Sequence, residues 1–284
     1  MSTTRDPALR FSVPLGYAGA MLVLFFVVPL GIMLAVSFYH RTESYYERGF
    51  EFDSYIRAGQ ELYLNAFLTS VEFAAIASVV SVLIAVPFAY FVSRLRPRPQ
   101  VLTLIFVLCA MSLSEVIVAF GWSIILSRGS GISNLFVWLG LMERPQSWAR
   151  GYWAVLIGLT YFNLPFAVVM MFPGFSRLNP EVIEAARTLG AGPWTMFRTV
   201  ILPLMSRTLI ATTLVLFIFT MGALVTPLWL GGPKEWMIAN YISDEVMTRS
   251  NFPFGAALAM IYLAVTILFL LVVWRLSGRE RKAV

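Results

Sequence analysis

The sequence predicts an all-α membrane protein that crosses the bilayer six times. Three observations carry this. Of 284 residues, 59% are hydrophobic and only 13% charged, against about 25% charged in a soluble domain. Mean hydropathy is +0.78. Long uncharged runs, of the roughly 20 residues a helix needs to cross the hydrocarbon core, recur along the whole chain. A transmembrane barrel would show short alternating segments instead.

The predicted spans are 14–38, 64–93, 101–126, 151–173, 207–230 and 255–276. The first is too long and lacks the small-residue flank of a cleavable signal, so it reads as a retained helix. Several spans contain proline (Pro29, Pro87, Pro165, Pro227). Each removes a backbone donor, which is tolerated where protein or a water-lined path satisfies the freed groups. The apolar stretch 131–141 is too short to cross. Gly129, Gly131 and Gly140 bracket it, and it reads as a re-entrant or interfacial segment. The chain divides into three: residues 1–63 with the first span and its loop, a five-helix core 64–276 that includes the loop 174–206, and a basic tail 277–284.

Charge sets the expected orientation. With both termini inside, 13 of the 21 Lys/Arg face the cytoplasm, among them Arg94, Arg96, Arg98, Arg177, Arg187, Arg198 and Arg207. Eight face outward, and the positive-inside rule selects this arrangement. The pI of about 9.7 therefore calls for anionic lipid, not nucleic acid. The single cysteine, Cys109, excludes an intrachain disulfide or a cysteine metal cluster. His40, the single histidine, stands just past the first span and excludes a histidine-based metal site. Neither a G-x-x-x-x-G-K-[ST] loop nor H-E-x-x-H or G-x-S-x-G is present. No catalytic residue and no cofactor are expected, and ATP hydrolysis would need a separate chain.

The loop 174–206 is the polar island among these spans. Asn179-Pro180-Glu181 is a strong helix start: a capping side chain, proline at the first turn and an acid at the positive end. Glu184-Ala185-Ala186 follows on that helix, and Gly190 suits a left-handed C-cap. Gly192-Pro193 opens a second helix from Trp194 to about Val200, ended by Pro203 before the fifth span. Trp194 and Phe197 are anchor-type residues for a protein interface. An ordinary amphipathic loop lying on the bilayer is the plainer reading.

The spacing decides between them. E-A-A, three residues, Gly190, nine residues, then Val200-Ile201-Leu202-Pro203 resembles the EAA loop of ABC importer permeases, with Val200 in place of isoleucine. Further stretches resemble the spermidine/putrescine-type group of those permeases. They are Pro87-Phe88-Ala89-Tyr90, Phe120-Gly121-Trp122, Leu164-Pro165-Phe166, Val225-Thr226-Pro227 with Leu230-Gly231-Gly232, and Asn251-Phe252-Pro253 with Gly255-Ala256-Ala257. The group's Arg-Thr before the aromatic-Gly-Trp is here Val118-Ala119. The resemblance covers roughly residues 60–275.

It implies a type I importer (MetI-like) permease fold in a bacterial inner membrane. Glu184, Ala185, Ala186, Gly190, Trp194, Phe197 and Pro203 would then form the coupling contact with an ATP-binding subunit dimer. The remaining implied partners are a second, paralogous permease, an extracytoplasmic substrate-binding protein and the surrounding lipid. Implied substrates are polyamines such as putrescine or spermidine. Opines, aminophosphonates and other small amines or acids are the alternative.

Two carboxylates fall inside predicted spans, and an acid placed there is a site hypothesis. Glu115 shares a helical face with Ser112, Ala119, Trp122 and Ser123. That face suits an amine through charge and cation–π contact, or else a helix–helix hydrogen bond. Glu72 lies beside Asn65 and Thr69, and Asn163 beside Tyr161. Polar bonds between helices are the better reading of both, a substrate path the other. The loop 39–63, with Tyr45, Tyr46 and Tyr55, reads as a solvated loop or as a docking rim. A stand-alone secondary transporter would also use intramembrane acids, but would need internal repeats. An integral membrane enzyme would need a catalytic set that the chain lacks.

Overall fold

The computed structural model describes residues 17, 19–42, 46–129 and 131–279. Arg5, Asp6, Arg10, Tyr45, Glu280, Arg281 and Lys282, and the first residues of the predicted span 14–38, lie outside the described residues. Among the described residues, five helices are long and apolar enough to cross a membrane, or six if one bent pair counts as a span.

In chain order the elements are α1 (Gly19–Val36), a two-residue hairpin β1 (His40–Arg41) and β2 (Tyr46–Glu47), α2 (Asp53–Ala58) and α3 (Glu61–Ser93). Next come α4 (Pro97–Met111), α5 (Glu115–Ile125) and α6 (Ile132–Trp138). They are followed by α7 (Tyr152–Ser176) and α8 (Pro180–Thr188). The last are α9 (Pro193–Met221), α10 (Val225–Leu230), α11 (Ile238–Ser243) and α12 (Phe252–Arg279).

The chain falls into two compact units, residues 1–64 with 241–284, and residues 65–240. In the first, α12 packs on α1 and α2. The hairpin pairs His40 with Glu47 and Arg41 with Tyr46. In the second, α7 is the hub, packing on α4, α5, α9 and α10. Its core has two halves. One gathers Phe73, Ala119, Leu156, Leu159, Leu230 and Met237. The other gathers Val82, Ala89, Met171, Phe175, Met205 and Ile201, and extends to Ile183 and Met196 of the polar loop.

Two predicted helices differ from expectation. The span 101–126 is not one helix: α4 and α5 meet at a 91° bend. Ser112 closes α4, and its hydroxyl donates to the Leu108 carbonyl at 3.0 Å. Ser114 is extended (ψ 137°) and starts α5. Serine competes with the helix for its own backbone groups and favours helix ends, so the Ser-Leu-Ser step turns the chain. The expected common face of Ser112 and Glu115 therefore does not exist.

Pro203 likewise does not end the second loop helix. A continuous helix runs through Pro193–Met221, with a π-helical turn at Phe197–Ile201. Proline lacks a donor and its ring collides with the carbonyl four residues back. The widened turn before Pro203 relieves both problems, so the helix passes through it. The predicted span 207–230 starts earlier and stops at Met221, and α10 is a separate short helix.

Candidate functional site

The polar loop is built as the local sequence demands. The Asn179 side chain caps α8, accepting from the Glu181 N–H at 3.0 Å. At the other end the Ala191 N–H donates to the Ala186 carbonyl at 3.0 Å and the Gly190 N–H to the Arg187 carbonyl at 2.9 Å. With Gly190 at φ +83°, this is a Schellman ending, which requires a left-handed residue that glycine supplies without strain. Ala186 and Ala191, on either side of the turn, pack into the core together with Ile183.

Glu184 and Ala185 therefore face outward, while Ala186 is half-buried. Trp194 and Phe197 stack, with ring centroids 6.1 Å apart. Phe197 also meets Tyr90 of α3 edge-on at 6.0 Å. Trp194 stays 73% exposed and Leu189, in the turn, 89% exposed. Pro203 is exposed on the helix that follows. The loop thus presents a carboxylate, a methyl and two large apolar side chains on a surface anchored by the core behind it.

The two acids of the predicted spans each have a partner. Glu115 Oε1 accepts from the Thr226 hydroxyl at 2.8 Å and from the Thr226 backbone N–H at 3.1 Å. Glu115 stands in the first turn of α5 and Thr226 in the first turn of α10, so the bond ties two short helices that begin after breaks. Glycine at 158 on α7 permits this. A Cβ there would lie 2.6 Å from Leu230 Cδ1 and 2.8 Å from Thr226 Cγ2. Trp122, two turns along α5 from Glu115, packs edge-on against Tyr161 with centroids 5.6 Å apart.

Glu72 accepts from the Tyr152 hydroxyl at 2.8 Å. Asn163, 1% exposed, donates to the Thr220 hydroxyl at 2.7 Å. Glu115 and Trp122 therefore share α5, while Ser112 sits in the bend, and Glu72 and Asn163 are each committed to bonds elsewhere in the unit. Among the described residues no group of His, Cys, Asp and Glu could hold a metal ion.

Sequence reasoning missed several of these residues. Thr226, Tyr152 and Thr220 carry hydroxyls inside apolar helices, which alone mark nothing. Asn240 was also missed. It accepts from the Met237 N–H at 3.0 Å and donates to the Leu224 carbonyl at 2.9 Å, closing the chain around α10. In the other unit, Glu245 is 1% exposed and accepts from Arg57 (3.2 Å), Tyr63 (3.1 Å), Arg249 (3.0 Å) and Asn251 (3.1 Å). Exposed His40 meets Glu51 at 2.7 Å. The hydrogen bond to that carboxylate, and then its charge, raise the imidazole pKa above the ordinary 6.5.

Residues 77–282 match the family model of the binding-protein-dependent transport system inner membrane component. The chain belongs to this family. It is 32% identical over 264 residues to the spermidine/putrescine transport system permease protein PotB of Escherichia coli (strain K12), covering 93% of this chain and 96% of that one. Identity is 30% over 240 residues to PotB of Haemophilus influenzae, covering 84% of each.

Among solved structures, it resembles a chain of a bacterial ABC transporter involved in the import of the acidic polysaccharide alginate. The TM-score is 0.69 at 16% identity, over 95% of both chains. The same transporter in complex with an alginate pentasaccharide-bound periplasmic protein gives 0.71 at 17%, over 96% of this chain and 94% of that one. The methionine ABC transporter MetNI gives 0.57 at 16%, over 78% of this chain and 95% of that one. The expected MetI-like permease fold is therefore the observed one. The chain is a multi-pass inner-membrane permease subunit of an ABC importer, a transport component and not an enzyme.

Proposed function

We propose that this permease subunit lines half of the path by which a polyamine of the putrescine or spermidine type enters the cell. The carrying observation is the similarity to the PotB permeases along 93% of the chain. Both termini would be cytoplasmic, as the Lys/Arg bias favours. On that side the exposed Glu184-Ala185 face, Leu189, Trp194 and Phe197 would engage an ATP-binding subunit dimer. A paralogous permease would complete the path, and an extracytoplasmic binding protein would deliver substrate.

Glu115 supports the choice of a cation. Both of its hydrogen bonds land on one carboxylate oxygen, and Trp122 follows it on the same helix, packed against Tyr161. An ammonium group competing for Glu115 would loosen α10 as it binds, joining recognition to movement.

The test is ATP hydrolysis by the reconstituted complex, with binding protein, against putrescine, spermidine, amino acids, opines and aminophosphonates. Stimulation by the polyamines is expected. Stimulation only by an anionic or zwitterionic compound would remove the polyamine reading and leave Glu115 as a bond between helices.

A further inference from the structure

A groove of about 340 Å³ opens on the side of the second unit between α3, α4 and α7. Its floor is Ala85, Val107 and Val168, all buried, and its rim is Ile84, Phe88 and Phe106, all exposed. Phe106 is 74% exposed, so no described residue covers the rim there. Exposed aromatic side chains beside a floor of small apolar residues make an apolar slot.

The α3–α4 turn that closes one end of these helices is strongly basic. Arg94, Arg96 and Arg98 fall within five residues, and all three are exposed. Among the described residues no carboxylate pairs with any of them. The turn is held in place: the Gln100 side-chain amide donates to the Val92 carbonyl at 3.1 Å, and Pro97 opens α4. The Arg94 guanidinium lies 5.4 Å from the Tyr90 ring centroid.

The spacing matches a lipid. Phe88 precedes Arg94 by six residues, about 9 Å of helix, and Phe106 follows Arg98 by eight, about 12 Å. The polar layer on each side of a bilayer is about 5–8 Å thick. Arginines at headgroup level therefore place the groove at acyl level.

We propose that this groove and the Arg94–Arg98 turn form a site for one anionic phospholipid, its phosphate on the arginines and an acyl chain in the slot. Charge complementarity selects this occupant over a partner helix, which would leave three unpaired cations at its end. The site needs only that the chain spans a membrane. It stands whatever the transported substrate.

The test is native mass spectrometry of the full-length chain, with the subunits that accompany it, titrated with phosphatidylglycerol or phosphatidylcholine. One phosphatidylglycerol is expected to be retained in preference to phosphatidylcholine. Each basic residue near an anionic surface contributes about fivefold to binding. Replacing all three arginines by glutamine should thus weaken retention roughly a hundredfold, while the triple lysine variant should keep it. Ala110→Phe, which fills the slot and leaves the arginines intact, should also expel the lipid. Equal retention of phosphatidylcholine, or retention unchanged by Ala110→Phe, would overturn the site. So would release of an accompanying permease by Ala110→Phe with no change in lipid, since a partner helix would then be the occupant.

Discussion

Thr226 gives Glu115 two hydrogen bonds at once, from its hydroxyl at 2.8 Å and its backbone N–H at 3.1 Å, both to Oε1. The N–H is one that the first turn of α10 cannot satisfy internally. The carboxylate thus acts as a helix cap supplied from another helix. Thr226→Val keeps the N–H and loses the hydroxyl, and should cost about 1 kcal/mol, the scale of hydrogen bonds between membrane helices. Glu115→Gln keeps an acceptor and loses the charge. Under the polyamine proposal it should lower uptake of a cation far more than it lowers the melting temperature. Uptake with unchanged affinity would make Glu115 purely structural.

Gly158 makes that bond possible, since any Cβ there would press on Leu230 and Thr226. Both obstructing atoms are side-chain termini. Gly158→Ala should therefore be tolerated at a cost of about 1–3 kcal/mol, the range for overpacking. Gly158→Leu should push α10 off α7 and break the Glu115 contact. The check is thermal unfolding of the pair, each combined with Thr226→Val. If Gly158→Leu already breaks the bond, adding Thr226→Val should cost almost nothing more.

The coupling proposal predicts a separation of insertion from transport in the α8 loop. Glu184 is exposed and holds no core position, so Glu184→Ala should leave folding intact and uncouple ATP hydrolysis from uptake. Gly190→Val places a branched residue at φ +83°, where an L side chain costs about 1–2 kcal/mol. It should distort the turn that presents Leu189 and Trp194. Wild-type uptake by Glu184→Ala would remove the carboxylate from the coupling contact.

Glu245 is the most heavily bonded carboxylate described in the first unit. Glu245→Gln leaves Arg57 without its counter-charge and Arg249 with only Asp244, 3.0 Å away. Removing one partner of a buried pair costs about 3–5 kcal/mol, but both arginines are more than a third exposed. Water will screen them, and a loss of about 2 kcal/mol is expected. Arg249→Ala should cost less, because Arg57, Tyr63 and Asn251 still hold the carboxylate. Equal costs would show that the network depends on Arg249 alone.

The helical class, the multiple apolar spans and the capped α8 were legible because each rests on local rules: run length, Asn179 at a cap, Gly190 at a C-terminus. The 91° bend at Ser112–Ser114 was not. Ser112, Ser114 and Glu115 stand mid-way in the apolar run 101–126, and such polar residues also occur within unbroken membrane helices. Pro203 was misjudged for the opposite reason. The rule that proline stops a helix holds for a regular α-turn, and here a π-turn precedes it. Partners such as Thr226 for Glu115, 111 residues apart, depend on where α10 docks. No local pattern encodes that docking except the absence of a side chain at Gly158.

His40 offers a pH test outside the spans. Its bond to Glu51 favours the imidazolium, so its pKa in the folded chain is raised above the ordinary value. A raised pKa contributes stability that is fully present below about 6.5 and is lost as pH rises through the folded-state value. Both groups are exposed, so the effect on overall stability should be small and weakened by salt. The titration itself should be clear. This is the chain's one histidine, so a histidine-labelled sample gives a single imidazole signal by NMR. That signal should titrate above 6.5 in the wild type and return toward it in Glu51→Gln. An unchanged midpoint in the variant would mean that the His40–Glu51 bond does not hold in solution.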